Sequence, residues 1–262
     1  MNTDGIAETA HALADAARRA ILPYFRAEGL SAESKDVQKF DPVTEADRAA
    51  ERAMRAILRD QRPADGILGE EYGLTETESG LTWVLDPIDG TRGFMSGTPT
   101  WGVLIAVSND SGPIYGLIDQ PYTAERFEGG LGRCGMTGPL GACELKVRGD
   151  RALEDAILFT TFPEVGSPQE GAAFQAVSEQ VRLTRYGMDC YAYALLAAGQ
   201  VDLVIEAGLQ AYDVQAPIAV IEAAGGIVTD WRGGPAHEGG QILAAAGQRQ
   251  HAAALEILSR NL

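Results

Sequence analysis

Cysteine and histidine are scarce in this chain. The three cysteines, Cys134, Cys143 and Cys190, show no CxxC spacing, and the three histidines, His11, His237 and His251, form no ligand cluster. That scarcity argues against zinc, and an odd, scattered cysteine set reads as packing residues or spare thiols. Basic residues are also short: 21 Lys and Arg stand against 37 Asp and Glu, a net charge of −16. Such a balance opposes nonspecific nucleic-acid binding, which draws on cationic side chains facing phosphates. No uncharged apolar run reaches the roughly 18 residues of a membrane span. Met1 to Gly5 carry no basic stretch of a secretory leader, so the expectation is a cytoplasmic protein with no membrane partner. Internal repeats and low-complexity tracts are absent as well. What remains is a 262-residue chain with 45% hydrophobic content, enough for real cores.

One segment stands out against this background: Trp83-Val84-Leu85-Asp86-Pro87-Ile88-Asp89-Gly90-Thr91-Arg92-Gly93-Phe94. Two carboxylates lie three residues apart across a proline and are followed at once by Gly-Thr. Trp83 to Leu85 read as a short buried strand that Pro87 stops, which puts Asp86 at the strand's end. Gly90 permits a tight turn, and a helix starting near Thr91 would aim its unpaired N–H groups at a bound anion. Asp86 and Asp89 offer the oxygen donors that hard divalent cations prefer. Asp-Pro and Asp-Gly are also ordinary turn signals, so the segment alone fits a surface loop too.

Around it the chain alternates helices and strands. Ala7 to Tyr24 reads as a helix trimmed near Pro23, and Ser31 to Phe40 as a polar loop carrying Lys35. A second helix runs from Thr44, with Asp47 in a capping arrangement, to about Leu58. Ile67 and Leu68 precede the acidic turn Gly69 to Gly73. Trp101 to Val107, Ile114 to Ile118 and Glu125 to Glu128 read as antiparallel strands. A glycine-rich break from Met136 to Cys143 separates a second half. There Ile157 to Thr161, Val201 to Ile205 and Ile227 to Thr229 read as strands, and Gln169 to Val181, Cys190 to Ala198 and Tyr212 to Ala224 as helices. The expected division is residues 1–140 and 141–262, two subdomains sharing a cleft.

Four separated pieces, DPVTEAD, GEE, WVLDPIDGT and YDVQAPIAVIEAAGG, together resemble the inositol monophosphatase family, in order and over most of the chain. RGFMSGTPTWGVLIAV, GLIDQPYTAERFEGG and RYGMDCYAYALLAAGQVDLVIEAGL extend the similarity to its histidinol-phosphate phosphatase branch, although Met188 stands where the pattern commonly has a small residue. The resemblance implies an α+β fold, a layered αβαβα sandwich of the sugar-phosphatase type, with the active site between the subdomains. It implies Mg²⁺, two or three ions per site, and a homodimer.

By the same resemblance Glu70, Asp86 and the carbonyl of Ile88 hold one metal, while Asp86, Asp89 and Asp213 hold a second. Glu71 is a neighbouring charge. A metal-activated water, oriented by Glu70 and by the Thr91 hydroxyl linked to Asp47, attacks phosphorus in line without a covalent enzyme intermediate. The amides of Gly90 and Thr91 steady the phosphate. Asp189, Glu206 and Gly187 face the leaving group, whose ammonium and imidazole suit negative charge. Read locally, Asp47, Thr91, Asp189 and Asp213 are equally helix caps, and Glu206 an edge-strand charge. Lys35 reads as a solvated loop charge or a loop residue that closes on the phosphate. Arg92 stays outside the catalytic set, and Asp119, Gln120 and Glu125 are read as a turn or as shaping the substrate end. The expected activity is hydrolysis of L-histidinol phosphate, a small-molecule phosphate ester. The alternatives are inositol or another sugar or nucleotide phosphate, and, in a different class, a non-catalytic metal-binding regulatory protein.

Overall fold

Apolar residues at three- and four-residue spacing build the first layer. In the computed structural model, which describes residues 2–27, 33–34, 42–43 and 45–261, helix α1 (Ile6–Ile21) buries Ile6, Ala10, Leu13, Ala17 and Ile21. It ends two residues before Pro23, which has no N–H to continue the helical ladder. Two short strands, β1 (Glu33–Ser34) and β2 (Pro42–Val43), pair antiparallel. Lys35 and Thr44 lie outside the described residues. Helix α2 (Glu45–Gln61) buries Ala46, Ala50, Met54 and Leu58 on one stripe, and Asp47 and Glu51 beside it.

An eight-stranded sheet follows. Strands β3 (Gly66–Gly69), β4 (Gly73–Thr75) and β5 (Thr82–Asp89) lead through the short helix α3 (Thr91–Ser96) to β6 (Gly102–Asn109), β7 (Gly112–Gln120), β8 (Glu125–Gly130), β9 (Arg133–Gly138) and β10 (Gly141–Glu144). Their order is β10-β9-β8-β7-β6-β5-β3-β4. Only β3 and β5 run parallel; the other neighbours are antiparallel. Two sequence expectations change here. The glycine-rich stretch from Met136 to Cys143 is no break but the β9–β10 hairpin at the sheet's edge. Nor does Pro87 end its strand: β5 continues to Asp89 through an irregularity between Asp86 and Asp89. A bulge leaves residues outside the ladder, where a missing N–H does no harm.

The second half forms a five-stranded sheet. Strand β11 (Ile157–Thr160), helix α4 (Pro168–Ser178), β12 (Leu183–Tyr186), helix α5 (Cys190–Ala197), β13 (Leu203–Gln210), helix α6 (Ala211–Ala223), β14 (Ile227–Thr229), β15 (Gly239–Ala245) and helix α7 (Gln248–Arg260) complete the chain, with strand order β12-β11-β13-β15-β14.

Side chains alternate between sheet faces, and that alternation sorts them into three cores. Val103, Ile105 and Val107 pack under α1 and α2. Leu104 and Ala106 face α5 and α6 together with Val204, Ile242 and Ala244 of the second sheet. Leu203, Ile205 and Leu243 face α4 and α7. Helix α6 lies between the two sheets, and Val214 through Ile221 are all buried, as a helix covered on every side demands. The result is an α+β sandwich in five layers, helix, sheet, helix, sheet, helix.

Candidate active site

The acidic residues meet where β5, α3, α5 and α6 end or begin. Asp86, Asp89 and Asp213 each offer a carboxylate oxygen, and these three atoms lie within 4.8 Å of one another. Local geometry holds each in place. Asp86 accepts a hydrogen bond from the Ile88 amide (3.0 Å), Asp89 from the Cys190 amide (2.6 Å) and Asp213 from the Gln210 amide (2.7 Å). Asp213 thus closes a capping box at the start of α6 and joins the acidic trio as well. It is the third residue of the helix, with Gln210 at the N-cap position the sequence had offered to Asp213.

Electrostatics show how unusual the grouping is. Burial, then the charges of Glu70, Asp89, Asp213 and Asp47, push the Asp86 carboxyl well above the ordinary carboxylate range. Asp89 is pushed up by burial and by Asp189 and Asp213, against the Cys190 hydrogen bond. Burial raises Asp213 to about 6, opposed by the Gln210 amide. Glu70 and Asp47 are not within the trio, yet both stand near enough to act on Asp86. No Lys or Arg among the described residues forms an ion pair with Asp86, Asp89 or Asp213. Buried like charges in such proximity call for a cation. Oxygen donors alone, with neither imidazole nor thiolate among the proposed ligands, suit a hard divalent ion, so the residues present fit the metal their pattern implies.

Gly90 turns the chain into α3 with φ 85°, a left-handed conformation that favours glycine. A Cβ there would meet the Asp189 carboxyl carbon at 2.7 Å. The Thr91 hydroxyl donates to the Ile88 carbonyl at 3.1 Å. Asp89, Gly90, Thr91 and Asp213 form one wall of a cavity of about 390 Å³; Asp189 and Glu206 face it too.

The substrate-side residues divide. Asp189 occupies the N-cap position of α5 but makes no capping bond; its carboxylate accepts from the Thr100 hydroxyl at 3.1 Å. Burial raises its pKa, opposed by Thr100 and by the Arg92 guanidinium. Glu206 is no edge-strand charge: β13 is the central strand of its sheet, and the residue is 7% exposed. It accepts from the Thr161 amide and hydroxyl at 3.0 and 2.7 Å, and burial brings its pKa up to about 7. Gly187 lies beyond β12 and is not among the cavity's lining residues, and Met188 packs against the central core instead.

Three other residues belong elsewhere. Asp119 and Gln120 are fully buried at the end of β7, ahead of the turn. Asp119 pairs with Arg18 and Arg126, each at 2.7 Å, and Gln120 lies 3.4 Å from the Cys190 sulfur. Glu125 accepts from the Tyr191 hydroxyl at 2.6 Å. None of the three lines the cavity. Glu71 is held by Arg48 at 3.5 Å.

Sequence reasoning passed over several contributors. Arg92 lines the cavity and stacks its guanidinium over Phe162, 4.7 Å from the ring centre. Thr161 and Tyr193 also face it. Behind the site, Glu51 is 0% exposed and accepts from the amides of Glu71 (2.8 Å) and Tyr72 (3.2 Å) while pairing with Arg55 at 2.7 Å. It fixes the turn that presents Glu70. The signal was its position, one helical turn beyond Asp47 on the same face of α2.

The inositol monophosphatase family model matches residues 2–262. The chain belongs to this phosphatase family. An inositol monophosphatase from Zymomonas mobilis has the same fold, with a TM-score of 0.86 and 38% identity over 98% of this chain and 100% of that one. The Arabidopsis thaliana protein named bifunctional phosphatase IMPL2, chloroplastic, is 44% identical over 232 residues, 88% of this chain, which spans only 65% of that relative. A histidinol-phosphatase of Mycobacterium tuberculosis is 36% identical over 240 residues, covering 90% of this chain and 91% of the relative. The fold is therefore that of the inositol monophosphatases, and the family's metal dependence agrees with the acidic cluster.

Proposed function

We propose that the protein is a Mg²⁺-dependent phosphomonoesterase that hydrolyses L-histidinol phosphate to L-histidinol and phosphate, acting in histidine biosynthesis as a cytoplasmic homodimer. The observation that carries this reading is the convergence of a carboxylate oxygen each from Asp86, Asp89 and Asp213 within 4.8 Å, at a cavity lined by Asp89, Asp213, Asp189 and Glu206. The similarity to a histidinol-phosphatase supports the choice of ester.

In this reading residues 1–140 bring Glu70, Asp86, the Ile88 carbonyl and Asp89, and residues 141–262 bring Asp213, to hold two or three ions. The ions supply Lewis acidity toward water and phosphate oxygens and neutralise developing charge. The protein's own groups do the rest. The Glu70 carboxylate, beside Asp86, takes the proton of the attacking water. The Thr91 hydroxyl and Asp47 orient that water in line with the ester bond. The amides of Gly90 and Thr91 bind nonbridging phosphate oxygens. A P–O bond to water forms, the ester P–O bond breaks, and the departing oxygen leaves as the alcohol after gaining a proton. Asp189 and Glu206 hold the cationic leaving group.

Steady-state assays with Mg²⁺ across histidinol phosphate, inositol 1-phosphate and a nucleotide monophosphate test the assignment. The expected order places histidinol phosphate first by kcat/KM. Preference for inositol 1-phosphate would move the chain to the other branch of its family, and Mg²⁺ binding with no turnover of any ester would make it a non-catalytic metal-binding protein.

A further inference from the structure

Among the described residues, one residue of the cavity wall has a buried polar atom without a partner. Tyr193 is 3% exposed, lines the cavity and, among the described residues, finds no hydrogen-bond partner for its hydroxyl. Burying a hydroxyl in this way costs stability, and native proteins satisfy most such groups. Two other tyrosine hydroxyls are satisfied: two residues earlier on the same helix, Tyr191 donates to Glu125 at 2.6 Å, and on β7 Tyr115 donates to Glu128 at 2.8 Å. If Tyr193 served packing alone, phenylalanine would fill the same space without the penalty.

Its surroundings say what the hydroxyl is for. The titratable groups that line the same cavity include Glu206, Asp89, Asp213 and the Cys190 thiol. Tyr193 therefore shares one cavity with Asp89 and Asp213, proposed to bind metal, and with Glu206, proposed for the leaving-group end, where the ester's organic half must lie. A ligand among so many acids is favoured if it is cationic, and a neutral oxygen adds a directional acceptor without adding charge.

We infer that the Tyr193 hydroxyl is a substrate contact, accepting a hydrogen bond from a protonated nitrogen on the leaving-group half of the phosphate ester. This rests on the proposed phosphatase reading and deepens it by adding a specificity residue.

The test is Tyr193→Phe in the full chain with Mg²⁺, assayed on histidinol phosphate, on O-phosphoethanolamine, which carries only an ammonium, and on glycerol 2-phosphate, which carries no nitrogen. The ratio of kcat/KM for each amine ester to that for glycerol 2-phosphate should fall about 10–100-fold, mainly through KM. Tm without substrate should stay level or rise by about 2–4 °C, because the variant removes an unsatisfied group. Unchanged ratios overturn the inference, as does a lowered Tm with all three esters reduced alike, the mark of a structural role. Rejection of histidinol phosphate by the wild type defeats the substrate assignment alone, since a Tyr193 effect on O-phosphoethanolamine still supports the contact. Wild-type rejection of both amine esters defeats both.

Discussion

Asp86 is 2% exposed and stands amid Glu70, Asp89, Asp213 and Asp47, so more negative charge acts on it than a buried carboxylate tolerates without a cation. An Asp86→Asn substitution keeps the shape and removes the shared charge. Phosphate release measured with Mg²⁺ present should fall by about 10²–10³-fold, a loss of several kcal/mol of charge stabilisation; near-normal turnover would contradict a central role. At this scale the sequence was most legible for the converging acids Asp86 and Asp89, because Asp-Pro-x-Asp-Gly-Thr sets their chemistry locally. It was least legible for Thr161, Phe162 and Tyr193, whose residue types are ordinary core or turn choices and whose meaning comes from what folds opposite them. Asp189 was legible as a polar contact, but its bond to Thr100 depends on two segments meeting in space.

Among the elements, β5 and α2 show what pattern reading captures and what it misses. Proline was read as a stop, since it cannot donate to a ladder, but the bulge beyond Asp86 gives Pro87 a place where no donation is needed. That irregularity also allows Asp86 and Asp89, three residues apart, to serve one site. The apolar stripe of α2 was plain, whereas the buried Glu51 beside it was not, for its partners are amides twenty residues away. Glu51 ties the helix that carries Asp47 to the turn that carries Glu70, and a Cβ on Gly69 would run into its carboxylate. Replacing Glu51 with Ala takes the only paired carboxylate from the Arg55 guanidinium, whose side chain is 13% exposed and keeps only the Gly73 carbonyl and Thr75 hydroxyl among the described residues. Urea denaturation should record a loss of about 3–5 kcal/mol, and calorimetry about tenfold weaker Mg²⁺ binding as the Glu70 turn loosens. Wild-type values in both would remove Glu51 from the account.

At the level of the whole molecule, the five-layer order was foreseeable through family resemblance rather than periodicity. Local patterns show that α6 is apolar all round; they do not show that it lies between two sheets. They also left β12, β15 and α7 unread. The packing that buries α5 and α6 also buries the acids at their N-terminal ends, and this links metal binding to stability. Asp213 titrates near 6 and Glu206 near 7 in the folded chain, above the ordinary values of about 4 in an unfolded one, and Asp86 and Asp89 are shifted the same way. The native state therefore binds more protons than the unfolded state across this window. Its stability is fullest at acid pH within the window and declines as pH rises from about 4 through 7. Divalent cations bind the deprotonated form and oppose that decline. The most direct measurement is the thermal midpoint of metal-stripped protein from pH 5 to pH 8, with and without added Mg²⁺. Without metal the midpoint should fall by on the order of 5–10 °C and recover with Mg²⁺, most fully at pH 8. A flat profile that Mg²⁺ leaves unmoved would contradict the claim that these buried carboxylates are gathered to hold metal.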